Sequence, residues 1–225
     1  MKIIYYTFLL IFCSATIAFA QLEGKRFISG AVSTNFDTYK PETGKSTNGY
    51  AYGVSIGLGK FKTATRAGEW SIFSNMNGSK KNFNLGTDTT TLKGIDGFGI
   101  GTGYRWSFYK HFSDKFGVFG GPGISVRYNY IKQFQSDGQE LFEQKSNEIS
   151  ASLDLSAGAY YALNDRWWLT ASLAFSNPVY ATYSFGKSKG RTTATSYDNS
   201  GLRYQLSPSF NFPSVGIGLR YFFKD

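Results

Sequence analysis

The chain is poor in reactive side chains: its 225 residues include one cysteine, one histidine and five prolines. Cys13 lies in a segment, residues 1–20, that reads as an export leader. Lys2 supplies a positive start, Ile3 to Phe12 is an almost unbroken apolar run, and Ala18-Phe19-Ala20 gives the small-x-small pattern of a signal-peptidase site, with Gln21 as the new N-terminus. A helical anchor would need about 20 apolar residues, and the run weakens at Cys13-Ser14-Ala15-Thr16. Lipoprotein processing is disfavoured because Phe12 stands before Cys13, where a small residue is needed. Cleavage leaves residues 21–225 as one domain without disulfide, thiol or cysteine–metal chemistry.

The single histidine, His111, falls in a short turn. That turn lies away from the lipid face and the outer loops, so no Ser-His-Asp triad is expected, and without a second histidine or a mature cysteine neither is a strong transition-metal site. Asp88, Asp96, Asp137, Glu140 and Glu143 lack EF-hand spacing. Gly99-x-Gly101-x-Gly103 is no phosphate loop, since its glycines recur every second residue with bulky residues between them. The chain is therefore expected to be non-enzymatic, without cofactor or metal. No stretch after the leader is long and apolar enough for a membrane helix, so any entry into a bilayer would be as a barrel.

What the chain has is aromatic residues (18%), glycine (26 residues) and alternation. In Tyr50 to Gly59, large apolar residues hold the even positions and Gly, Ala or Ser the odd ones, which is the period of a strand. The pattern returns at Phe98 to Phe108, Val118 to Tyr130 and Val215 to Phe223, and less cleanly at Phe27 to Phe36, Trp70 to Asn77, Ile149 to Leu163 and Trp167 to Ser176. These eight segments are joined alternately by short connections (Lys60 to Glu69, Tyr109 to Lys115, Asn164 to Arg166) and long polar ones (Asp37 to Asn48, Gly78 to Ile95, Lys132 to Lys145, Asn177 to Pro213). An up-and-down membrane barrel with periplasmic turns and extracellular loops has this rhythm, and an even strand number leaves both termini in the periplasm.

Volume orients the faces. An eight-stranded bore is just wide enough for side chains to fill, so the load carried by Tyr50, Tyr52, Val54, Ile56 and Leu58 and their counterparts must point outward, towards lipid. Aromatics cluster at both ends of the outward face: Trp70, Trp106, Phe116, Trp167 and Phe223 near the short turns, Phe36, Tyr52, Phe98 and Tyr130 near the long loops. Aliphatics lie between, as for a barrel with two interfacial girdles. A soluble sandwich has no reason to sort aromatics by depth.

The leader, the alternating segments and the ending Val215-x-Ile217-x-Leu219-x-Tyr221-x-Phe223 resemble small bacterial outer-membrane barrels of the OmpA/OmpX type. The Ala-Phe-Ala-Gln junction and the Tyr/Asn/Lys-rich loops are similar to barrel proteins of the Bacteroidota. The resemblance implies an assembly signal at Leu219, Tyr221 and Phe223, read by the barrel-assembly machinery, although Lys224 and Asp225 displace it from the terminus. Pro122 departs from the pattern by removing a ladder donor, and a bulge is expected within Gly120 to Gly123.

On the inward face the alternation places Arg105, Arg127, Glu148, Asp154 and Arg220, expected to form one polar network because lumen charges must be paired or wet. Arg105 and Arg220 would sit in the periplasmic half, Asp154 near mid-depth, and Arg127 with Glu148 nearer the loops. Phe119, Tyr160, Trp168 and Phe222 would plug the periplasmic end. Lys187, Lys189 and Arg191 form a basic loop cluster flanked by Tyr183, Phe185 and Tyr197, suited to lipopolysaccharide phosphates or to a partner. Removing Lys2 from 24 basic against 15 acidic residues leaves a net charge of +8, which in an exported monomer favours outer-membrane lipid over nucleic acid. A structural or surface-binding role is expected, with a narrow porin-like channel as the alternative.

Overall fold

A computed structural model describes residues 22–40, 45–85, 88–136, 141–190, 196–206 and 216–224. The leader and Arg191 lie outside the described residues. Among those described, nine strands are present: β1 (Arg26–Tyr39), β2 (Thr47–Thr63), β3 (Arg66–Leu85), β4 (Asp88–His111), β5 (Phe116–Ser136), β6 (Leu141–Ala162), β7 (Trp167–Gly190), β8 (Ser196–Leu206) and β9 (Gly216–Phe222). Every neighbouring pair is antiparallel. β1 to β7 pair in sequence order, β7 pairs with β9, and β9 pairs with β1, so eight strands close a ring.

β8 is an addition to the eight expected strands. It pairs with the upper half of β7, from Val179↔Leu206 to Lys189↔Ser196, while β9 pairs with the lower half, from Trp167↔Tyr221 to Ser172↔Gly216. Much of the stretch from Asn177 onward is therefore wall rather than loop, and Val179, Tyr183, Phe185, Leu202, Tyr204 and Leu206 present an apolar outward face along it. The other expected loops shrink in the same way. β3 and β4 pair up to Leu85↔Asp88, and β5 and β6 up to Ser136↔Leu141. Above the lipid both faces meet water, so the backbone ladder continues while the polar residues on it lose their alternation of size. At about 3.3 Å per residue and a tilt near 40°, the 22 residues of β6 rise roughly 55 Å, about twice the apolar band of such barrels.

Alternation places the greasy residues outside. Val54, Ile56, Leu58, Ile72, Ile100, Ile124 and Ile217 are each 46–63% exposed, while their strand neighbours Gly57, Ser71, Gly103 and Ser125 line an interior cavity. Outward aromatics touch one another at both ends of this aliphatic band: Trp70 with Tyr104 and Trp167 with Tyr221 near the short turns, Phe36 with Tyr52 and Phe98 with Tyr130 towards the long hairpins. Such a belt is stable only with hydrocarbon as its solvent, and the fold is that of a transmembrane β-barrel.

Pro122 does not produce the expected bulge. Its pairing with Leu155 of β6 is in register, and on the β4 side the ladder opens between Arg105↔Gly123 and Phe108↔Gly120 without a change of count. The missing donor costs a local gap rather than an inserted residue. Register shifts occur instead opposite β7, beside Asp154 and between Ala157 and Gly158, and between Asn77 and Gly78 on β3.

Candidate functional site

The bore has a floor near the short turns. Phe27 of β1, Phe61 of β2, Ala67 of β3, Tyr109 of β4, Phe119 of β5, Tyr160 of β6, Trp168 of β7 and Phe222 of β9 are all at most 8% exposed and form one cluster, so every strand of the ring contributes. Trp168 stacks on Tyr160 at 4.2 Å and meets Phe222 edge-on at 4.7 Å, while Phe61 lies 4.9 Å from Tyr109. All four residues expected to plug this end, Phe119, Tyr160, Trp168 and Phe222, are in the cluster. Sequence reasoning misses Phe27, Phe61 and Tyr109, although Phe61 continues the inward parity of Gly57 and Gly59, and Tyr109 that of Arg105. Carrying the period of two past the last tidy residue finds both.

Arg220 lies in the middle of this cluster. Its guanidinium sits 4.2 Å from the centroid of the Phe27 ring, donates to the Tyr109 hydroxyl at 2.5 Å, and pairs with Glu69 at 3.4 Å. The Ser29 hydroxyl donates to the second oxygen of Glu69 at 2.5 Å. Glu69 falls in a stretch that reads as a short turn, so the sequence does not reveal the partner of Arg220. Beneath the floor His111 contacts the Tyr160 hydroxyl through Nδ1, and its Nε2 lies 2.9 Å from the Ala64 carbonyl oxygen. His111 thus fastens a turn to the cluster rather than standing free in solvent.

Above the floor lies a cavity of 330 Å³ whose lining includes Ser55, Ser71, Arg105, Ser125, Arg127 and Asp154. The single network expected here is not formed. No ion pair joins Arg105, Arg127, Glu148, Asp154 and Arg220 to one another among the described residues. Asp154 instead accepts from Ser152 at 2.7 Å and from Asn177 at 2.6 Å, held at the register shift where β7 brings Asn177 beside it. Arg127 packs over the Phe73 ring at 4.8 Å rather than against Glu148, which lies two positions higher on the ladder, opposite Asn129. The charges stand apart on the wall: Asp154 takes a hydroxyl and an amide, Arg127 a ring, and Arg220 the floor.

The basic cluster is part of the wall. Lys187 and Lys189 lie on β7, with Lys187 paired to Asp198 of β8 at 3.5 Å, both strongly exposed. On neighbouring β6, Glu143 binds Lys145 at 2.9 Å and Lys132 of β5 at 3.5 Å. These groups stand beyond the upper girdle, outside the membrane span. There the Lys145 hydrogen bond holds the Glu143 carboxyl below its ordinary range, against partial burial and with help from the Lys132 charge. At the seam, Leu219, Tyr221 and Phe223 share the outward face, Leu219 46% and Phe223 42% exposed.

No protein-family model matches the chain, and no curated protein matches it. Solved structures do. The outer membrane protein OprG from Pseudomonas aeruginosa aligns over 90% of this chain and 97% of its own, at 13% identity and a TM-score of 0.43. A major outer membrane protein from Thermus thermophilus aligns over 89% and 99%, at 12% identity and 0.43. The E. coli Outer Membrane Protein W aligns over 88% and 98%, at 15% identity and 0.33.

Proposed function

We propose that this chain is a non-enzymatic, monomeric integral protein of the bacterial outer membrane, of the small OmpA/OmpX-like kind, with a lumen that does not conduct. Its long hairpins face outward, both termini lie in the periplasm, and its role is structural or surface-binding. The observation that carries the reading is the floor: a cluster drawn from every ring strand, closed around a buried Arg220–Glu69 pair. In a bore this narrow, a layer of rings leaves no continuous water path. Planar-bilayer recording tests it. The wild-type protein should give no large, stable conductance, and F119A/Y160A/W168A, still folded by heat-modifiable gel migration, should give one. A large open conductance in the wild type would overturn the reading. A second reading, a narrow path for small solutes, draws support from the hydroxyl-lined cavity that descends to the floor. A small steady wild-type conductance would favour it.

A further inference from the structure

The strand register assembles a cationic patch that the linear sequence disperses. Lys132 of β5 is the direct cross-strand partner of Lys145 of β6, and Lys145 is the partner of Lys187 of β7. Three ammonium groups thus follow one another across three strands, all on the outward face, and Lys189 follows two positions above Lys187 on that face. Like charges directly opposite each other destabilise a sheet. Glu143 offsets part of this from between Lys132 and Lys145, and Asp198 meets Lys187. Four cations against these two anions leave the patch at +2. Asp198 is 73% exposed, so its pairing is weak.

Immediately below the lysines on the same face lie Tyr130 and Phe185, and below those Tyr128 and Tyr183. These are rings of the upper girdle, which mark the depth of lipid headgroups. A row three strands wide spans about 10 Å, and at a tilt near 40° changes depth by roughly 6 Å, no more than one headgroup layer. The patch therefore meets the part of a lipid that carries phosphate, while the wall below it offers Ile149, Val179 and Leu202 to acyl chains.

The geometry points to a lipid site on the outer surface of β5–β6–β7: Lys132, Lys145, Lys187 and Lys189 bind the phosphates of an outer-leaflet phosphoglycolipid, the lipid A part of lipopolysaccharide. The assignment rests on the proposed orientation, which puts this rim in the outer leaflet. Two phosphates on one headgroup suit two lysine pairs at this spacing better than scattered single-charge lipids do. Binding of bisphosphorylated lipid A to the full-length folded barrel, followed by native mass spectrometry in detergent, tests it. K132Q/K145Q/K187Q/K189Q should lose at least tenfold in affinity while keeping heat-modifiable migration, and monophosphorylated lipid A should bind the wild type more weakly. Four such changes made elsewhere on the barrel, K80Q/K81Q/K93Q/K110Q, should leave binding unchanged. Equal affinity of the wild type and the rim variant would overturn the site, and phosphatidylglycerol binding as tightly as lipid A would overturn the choice of lipid. Labelling of a cysteine placed at Ser196 in intact cells reads the orientation separately. No labelling there, with lipid A still bound in detergent, would remove the proposed topology and leave the patch standing.

Discussion

Replacing Arg220 with methionine removes the cation from the floor and leaves Glu69 buried among rings. The two side chains are only 5% and 11% exposed, so solvent screens little of their interaction. Breaking a buried pair on one side costs about 3–5 kcal/mol, because the remaining charge has no compensation. Glu69 keeps the Ser29 hydroxyl, which favours the lower end of that range. Loss of the guanidinium over Phe27 adds up to about 2 kcal/mol where the contact is desolvated. Methionine retains most of the packing volume, so the expected cost of R220M is about 3–4 kcal/mol. The double variant R220M/E69Q should recover at least half, since replacing both charges removes the desolvation penalty together with the attraction. Urea unfolding in micelles, followed by tryptophan fluorescence and gel migration, measures both. If R220M falls within about 0.5 kcal/mol of wild type, or if the double variant is worse than the single, the account of the floor is wrong.

Two further pairs of variants probe the packing. In G59A the new Cβ would overlap the Phe27 ring, itself wedged between Phe61, Phe222 and Arg220, so overpacking should cost about 1–3 kcal/mol. G216A, whose nearest neighbour would be 3.8 Å away, should be close to neutral in the same unfolding assay, and equal effects would refute the contrast. I56K places a charge at mid-depth on the lipid face and should cost about 2–4 kcal/mol. S55K, one residue along and aimed into the cavity, should cost less than half of that, and the reverse order would mean that the barrel is inside out.

How much can be read in advance depends on whether lipid or water surrounds a given stretch. Between the girdles the solvent changes abruptly from one face to the other, so Tyr50 to Gly59 and Phe98 to Phe108 alternate in size and their strands are legible. Above the girdles, Ser79 to Leu85 and Gln133 to Ser136 have hydrocarbon on neither side, and nothing selects for alternation. Their strands are held by backbone ladders that leave no mark on side-chain type. Tyr180 to Gly190 is hidden by a different cause: two one-residue register shifts interrupt the alternation that starts at Trp167 before Val179 takes it up again with the same parity. The alternation puts Arg220 on the inward face but does not reveal its partner, because pairing is fixed by depth and azimuth. Arg220 and Glu69 are 151 residues apart in sequence, and only closure of the ring brings them together.

That closure explains why an ionic pair sits where an apolar residue would pack as well. Among the described residues β1 pairs with β9 from Phe27 to Ala31 on one side and with β2 along its whole length on the other. The seam is the join at which β9 closes the ring between β7 and β1. Phe222 reaches across it to Phe27 at 5.7 Å, and Arg220, two residues earlier on the same strand, reaches through the bore to Glu69 on β3. A buried charge needing its partner penalises any register of β9 that fails to present it, because a slip of one residue would turn Arg220 and Phe222 towards lipid and leave Glu69 unpaired. Floor and seam are therefore one unit. The conductance test removes rings from β5, β6 and β7 for this reason: Phe27, Arg220 and Phe222 stay in place, so the bore can open while the ring remains shut.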